Sequence, residues 1–102
     1  MQIFNLDSLK TSPYDERDKN VFFKVEEFKT RIIRLLPGEN IPECEMASYV
    51  IFIVLEGEAE ITVNTDKANL VKNQCLITDP SIISMQSENG AKIIGIQIVK
   101  NL

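Results

Sequence analysis

Apolar and polar positions alternate with a period of two over most of this chain, and the apolar runs are short. Val21, Phe23 and Val25 alternate with Phe22, Lys24 and Glu26, and residues 30–36 repeat the pattern up to Pro37-Gly38, which predicts two half-buried strands. Residues 2–6 alternate enough to predict a short strand ahead of them. Between these lie residues 7–20, where Ser12-Pro13 and the charged cluster 15–19 predict an irregular, solvated loop. Residues 50–55 form a continuous apolar run rich in β-branched side chains. Beyond Gly57, Ala59, Ile61 and Val63 alternate with Glu58, Glu60 and Thr62, so a strand, a tight turn and a strand are expected here. Turn residues at 64–67 and 72–74 bracket a short strand at 69–71, and Cys75-Leu76-Ile77 is closed by Asp79-Pro80-Ser81. Residues 82–86 predict a further strand. Asn89-Gly90 signals a hairpin into the last strand, 91–99, in which Ile94, Ile96 and Ile98 share a face and Gly95 interrupts the other. No amphipathic helix, repeat or low-complexity tract emerges. Many short strands with turn residues between them predict a closed β-sandwich or barrel.

At 102 residues and 44% hydrophobic composition, the chain predicts one domain with a modest core. Residues 1–19 supply an N-terminal strand and polar loop, and 20–102 the barrel. A net charge of −4 and a pI near 4.8 argue against nucleic acid or an anionic membrane surface, because both need basic residues to meet phosphates. No basic leader precedes an apolar core, and no run approaches the roughly eighteen apolar residues of a membrane span, so the expected location is cytoplasmic. Cys44 and Cys75 have neither redox nor zinc-ligand spacing. The chain contains no histidine, which removes the commonest general base and the commonest transition-metal ligand.

Gly38 and Gly57 enclose Pro42, Cys44, Met46 and Val50, and the phrase Val54-Leu55-Glu56-Gly57-Glu58-Ala59-Glu60-Ile61 follows. In these residues the sequence resembles the cupin superfamily, in its small single-domain barrels. The family's first motif places a His-x-His pair and a glutamate between two glycines, and Gly38 and Gly57 keep that glycine spacing. Residues 73–84 resemble the second motif more loosely. The resemblance covers about residues 20–99 and implies an all-β fold, the cupin double-stranded β-helix, a jelly-roll-like barrel.

The same resemblance implies a degenerate metal site. Carried across one position at a time, the two histidines fall on Cys44 and Met46, the glutamate on Val50 and the last histidine on Ser84. None is a usual cupin ligand, and a catalytic divalent metal wants several imidazole or carboxylate donors. No metal, no cofactor and no catalytic residue is therefore assigned. Three readings of the barrel interior stand. Cys44, Met46, Val50, Phe52 and Ser84 line a mostly apolar pocket for a small molecule, oriented by the thiol and the hydroxyl; or the same side chains fill a dry core, with Cys44 as a small hydrophobe; or Cys44 and Met46 form a soft site for cuprous ion. On the second strand one arginine, Arg31 or Arg34, must face the apolar side, as an anion anchor or with its head at the rim, which keeps a single carboxylate compatible with the pocket.

The expected function is a non-catalytic, metal-free barrel acting as a small-molecule-binding or regulatory module. One alternative is a metal-independent enzyme, an isomerase or similar, drawing on Cys44, Tyr49, Glu43 and Glu45. The thiol has no evident activating base, and the two glutamates should face outward. The other alternative is a purely structural homodimeric module. A homodimer is expected in any case, paired through Phe22, Phe28 and the apolar face of residues 2–6.

Overall fold

One long strand carries the architecture. The structure, a computed structural model, describes residues 1–100. Among them are eight strands: β1 Val21–Lys24, β2 Phe28–Leu35, β3 Asn40–Met46, β4 Tyr49–Val63, β5 Asp66–Val71, β6 Cys75–Thr78, β7 Ser81–Gln86 and β8 Ala91–Ile98. The first half of β4 pairs with β8 and β6, and its second half with β7 and β5, all antiparallel. Two curled sheets result, β1-β2-β8-β4-β6 and β5-β4-β7-β3, joined through β4. The all-β barrel expected from the alternation is present.

The tight turn expected at Gly57 is instead a corner in a continuous strand. Gly57 has φ +75°, and a Cβ there would run into the Gly90 carbonyl and lie 3.1 Å from the Ala91 Cα. Only glycine meets both demands. The Asn89-Gly90 turn forms as well, but it is not a hairpin. Strand β7 leaves the second sheet and β8 joins the first, so the turn crosses between sheets. Buried Ser87 ties the crossing together: its hydroxyl donates to the Glu58 carbonyl and accepts from the Gly90 N–H at 2.8 Å. Its backbone carbonyl accepts from the Gly38 N–H at 2.8 Å. The three positive-φ glycines, Gly38, Gly57 and Gly90, thus meet around one serine.

Alternation places Val50, Phe52 and Val54 of β4 and Ile93 of β8 inward, with Ile61, Ile83 and Met85 opposite them, in a single buried cluster. The other face of the first sheet is partly covered by the N-terminal segment. No strand forms at residues 2–6; a 3-10 turn, Leu6–Ser8, follows them. That segment pairs with no strand, and it is held by side chains instead. Phe4 packs edge-on to Phe22 and Phe23 at 5.1 and 6.3 Å, Phe23 stacks on Phe28, and buried Lys92 donates to the Leu6 carbonyl at 2.7 Å. The loop expected at 7–20 likewise ends in a 3-10 helix, Tyr14–Asn20, anchored by buried Asn20, whose amide group bonds both backbone groups of Ser12.

Replacing Gly57 by alanine should cost about 3 kcal/mol, the left-handed backbone and the steric overlap together, or roughly 15 °C in Tm for a chain of this size. Gly38 also has positive φ but nothing within 4 Å of its Cβ position, so Gly38→Ala should cost only about 1 kcal/mol. Equal losses in thermal melts of the two variants would remove the special role given to the corner.

Candidate functional site

A cavity of about 100 Å³ opens between the sheets where β2 and β3 face each other. Gly95 is one of its lining residues. On the inner face of β8 this glycine lies opposite Phe52 and Arg31, and a Cβ there would sit 3.2 Å from Ile33 Cδ1 and 3.4 Å from the Phe52 ring. Ile33 and Phe52 therefore pack down over the glycine, and a larger side chain would have to push them toward the cavity. The interruption at Gly95 seen in the sequence is the position that lets these two side chains settle as they do.

All five side chains expected at a pocket border this cavity, but in different ways. Val50 and Phe52 are buried and form the apolar floor. Met46 is half-buried and accepts a long contact, 3.8 Å, from the Gln97 amide. Cys44 is exposed at the rim, so it is not the small core hydrophobe of the dry-core reading. A bulge between Ile41 and Cys44 shifts the phase of β3, which lets Ile41, Cys44 and Met46 all face inward and leaves Glu43 and Glu45 exposed. Ser84 touches the cavity from β7, yet its neighbours Ile83 and Met85 are both core residues. Alternation along β7 therefore gives the inward positions to Ile83 and Met85, with Ser84 between them at the cavity wall.

The polar groups at the mouth come instead from the segment read as solvated loop. Ser12, Tyr14, Arg17 and Asn20 border the opening, with the Arg17 guanidinium 4.4 Å above the Tyr14 ring and donating to the Tyr14 carbonyl. Sequence reasoning missed them because seven residues of mixed polarity carry no periodic signal; the Pro13 helix start was the one cue. Of the two arginines of β2, Arg31 is the inward one. Its side chain is 19% exposed, and its nearest carboxylate, on Asp18, is 3.8 Å away and 99% exposed. The Arg31 Nε is buried without a hydrogen-bond partner among the described residues. Burial lowers the Arg31 pKa, Asp18 opposes this, and Arg17 lowers it further; a guanidinium nevertheless stays charged at neutral pH.

No family model matches the chain, and no curated protein matches it. Solved structures do. A protein from Thermus thermophilus superposes with a TM-score of 0.84 at 20% identity, over 97% of this chain and 98% of that one. A cupin superfamily protein from Desulfitobacterium hafniense gives 0.73 at 21% identity, over 78% and 74%. An uncharacterised double-stranded β-helix protein from Klebsiella pneumoniae gives 0.83 at 16% identity, over 99% and 92%. The fold is that of the cupins. What the likeness shows is the cupin architecture, and the site must be read from its own residues.

Those residues do not fit the metal that the cupin resemblance implies. Val50 has no donor atom and is fully buried, so a carboxylate in its place would need a counter-charge that the floor lacks. Met46 and exposed Cys44 offer two soft donors, and among the described residues no group of three or more His, Cys, Asp and Glu side chains converges. Added zinc, nickel or manganese should leave the melting curve unchanged at concentrations where a micromolar site would contribute about 2.7 kcal/mol. A stoichiometric metal in the purified protein would contradict this assignment.

Proposed function

We propose that this cupin barrel is a non-catalytic, metal-free module that binds a small, mostly apolar molecule. The observation that carries the reading is the cavity between the two sheets. About 100 Å³ is left beside Phe52, Ile83 and Met85, with an apolar floor and a polar mouth, which is the usual composition of a small-molecule site. An engineered apolar cavity of roughly 150 Å³ takes benzene, so a cavity of about 100 Å³ with an open mouth suits a ring or a short branched chain. The enzyme alternative has lost support. Tyr49 lies on the outer face of the sheet, since its neighbour Val50 points inward, and Glu43 and Glu45 do not border the cavity.

Native mass spectrometry of freshly purified protein should show a small organic mass riding on the 11.6 kDa chain, released on denaturation. Gly95→Leu, which must push Ile33 and Phe52 toward the cavity, should remove it. Protein that carries no such mass, and whose Tm does not move with any of a panel of neutral and charged small aromatics, would rule the ligand-binding reading out.

A homodimer is favoured by a separate observation. Phe22 and Phe28, expected at the interface, spend much of their surface on the chain's own aromatic cluster. Uncovered apolar surface lies instead on the outer face of β4, β6 and β8, where Tyr49, Ile51, Ile77, Ile96 and Ile98 share a side. Ile77 is 70% exposed. These side chains are uncharged, so two copies can meet there without the repulsion that the net charge of −4 imposes elsewhere. Light scattering should give twice 11.6 kDa, and Ile77→Glu should return the monomer without loss of Tm. A wild-type monomer at micromolar concentration would refute the dimer.

A further inference from the structure

We propose that the molecule taken by the cavity is a small monocarboxylate, its apolar body against Phe52, Ile83 and Met85 and its carboxylate on Arg31. The inference rests on the ligand-binding reading and specifies the chemical class. The chain is acidic overall, yet its only arginines, Arg17, Arg31 and Arg34, all border this one opening, and none of its lysines does. Arg34 alternates to the outer face of β2 and is exposed, so the argument lies with Arg31 and Arg17.

Arg31 is held inward by its register opposite Gly95, with a buried Nε that bonds nothing among the described residues. Its one ion pair among them, to Asp18, is long and solvent-exposed at the acid end, and a pair of that kind contributes little. Arg17 adds a second positive charge nearby; after burial, which lowers the Arg31 pKa most, and Asp18, which raises it, Arg17 lowers it further. Glu39, the acidic residue bordering the opening, is occupied in accepting the Leu36 N–H at 3.1 Å. A cationic mouth with a planar fork whose Nε is unpartnered among the described residues and whose one ion pair there is long and exposed is suited to a carboxylate, which a guanidinium can bind through two parallel hydrogen bonds. The apolar floor supplies the complementary demand. It contains no charged group to meet a second anionic centre, and that excludes dicarboxylates.

The test uses the full chain, with calorimetry and thermal melts against monocarboxylates of about four to eight carbons, branched and aromatic, each paired with its primary amide, and with inorganic phosphate alone. At least one acid should raise Tm and bind about tenfold or more tighter than its amide, in line with a charge-assisted hydrogen bond, while phosphate has no effect. Arg31→Met keeps the apolar stem and should abolish the preference for acid over amide, with Tm unchanged or higher, because a buried donor without a partner is removed. Arg31→Lys keeps the charge without the fork and should retain only part of the preference, which leaves the proposal testable should the methionine variant not fold. Acid and amide binding equally well would overturn this inference and leave the ligand-binding reading standing. A barrel that binds neither would overturn both. Phosphate binding as tightly as the acids, or an undiminished acid preference in Arg31→Met, would also overturn it.

Discussion

The contact on which the fold turns is the approach of the Gly90 carbonyl to Gly57. A strand of fifteen residues, Tyr49–Val63, can serve two sheets only by bending, and the bend needs a backbone with positive φ and no Cβ. Because the carbonyl of the β7–β8 crossing occupies that space, the corner and the crossing fix each other. Ser87 then secures both to the Gly38 turn. Each half of β4 is left with its own neighbours, and the cavity lies between the halves, its floor set by the inward residues of both.

That constraint explains what the sequence made legible. Two glycines at a set spacing mark the fold because both take positive φ and at Gly57 no Cβ fits, whereas the residues between them are free to change the chemistry. Alternation along β2 and β4 sorted inward from outward side chains and put Val50 and Phe52 on one face, while Cys44 and Met46, two apart on β3, reach the same cavity. It could not say which sheet a strand joins, since period two is a property of one strand and pairing is a property of two. For this reason Asn89-Gly90 read as a hairpin, and Gly57 read as a turn. Ser84 borders the cavity between two core residues, Ile83 and Met85; a one-residue difference in register reverses a side chain, and a loose motif match does not resolve one residue.

The mouth was the least legible part. Tyr14, Arg17 and Asn20 sit on a short 3-10 helix whose place is set by tertiary contacts, namely the Asn20 bonds to Ser12 and the aromatic packing of Phe4 further upstream. Neither leaves a periodic trace. A charged cluster with no apolar stripe is usually a solvated loop, and most of this one is solvated; what periodicity could not show is that one side of it faces the opening left between β2 and β3.

The chemistry of the floor and the chemistry of the mouth together set how a guest must enter. At the positions where the cupin motif carries its ligands, this chain has Val50 at 0% exposure and Met46 half-buried, so the deep end of the cavity is apolar. One amide, that of Gln97, stands opposite Val50 and reaches Met46, while the cations lining the cavity include Arg31, whose side chain is 19% exposed, and exposed Arg17. The floor is thus uncharged, and the cations keep contact with water. An amphiphilic guest would go in tail first and leave its head where water still reaches. The arginine need not then be wholly stripped of solvent to bind an anion, which avoids the desolvation penalty that weakens fully buried ion pairs. The sorting between ligands falls to the floor, where any second charged or strongly polar group would be buried without a partner.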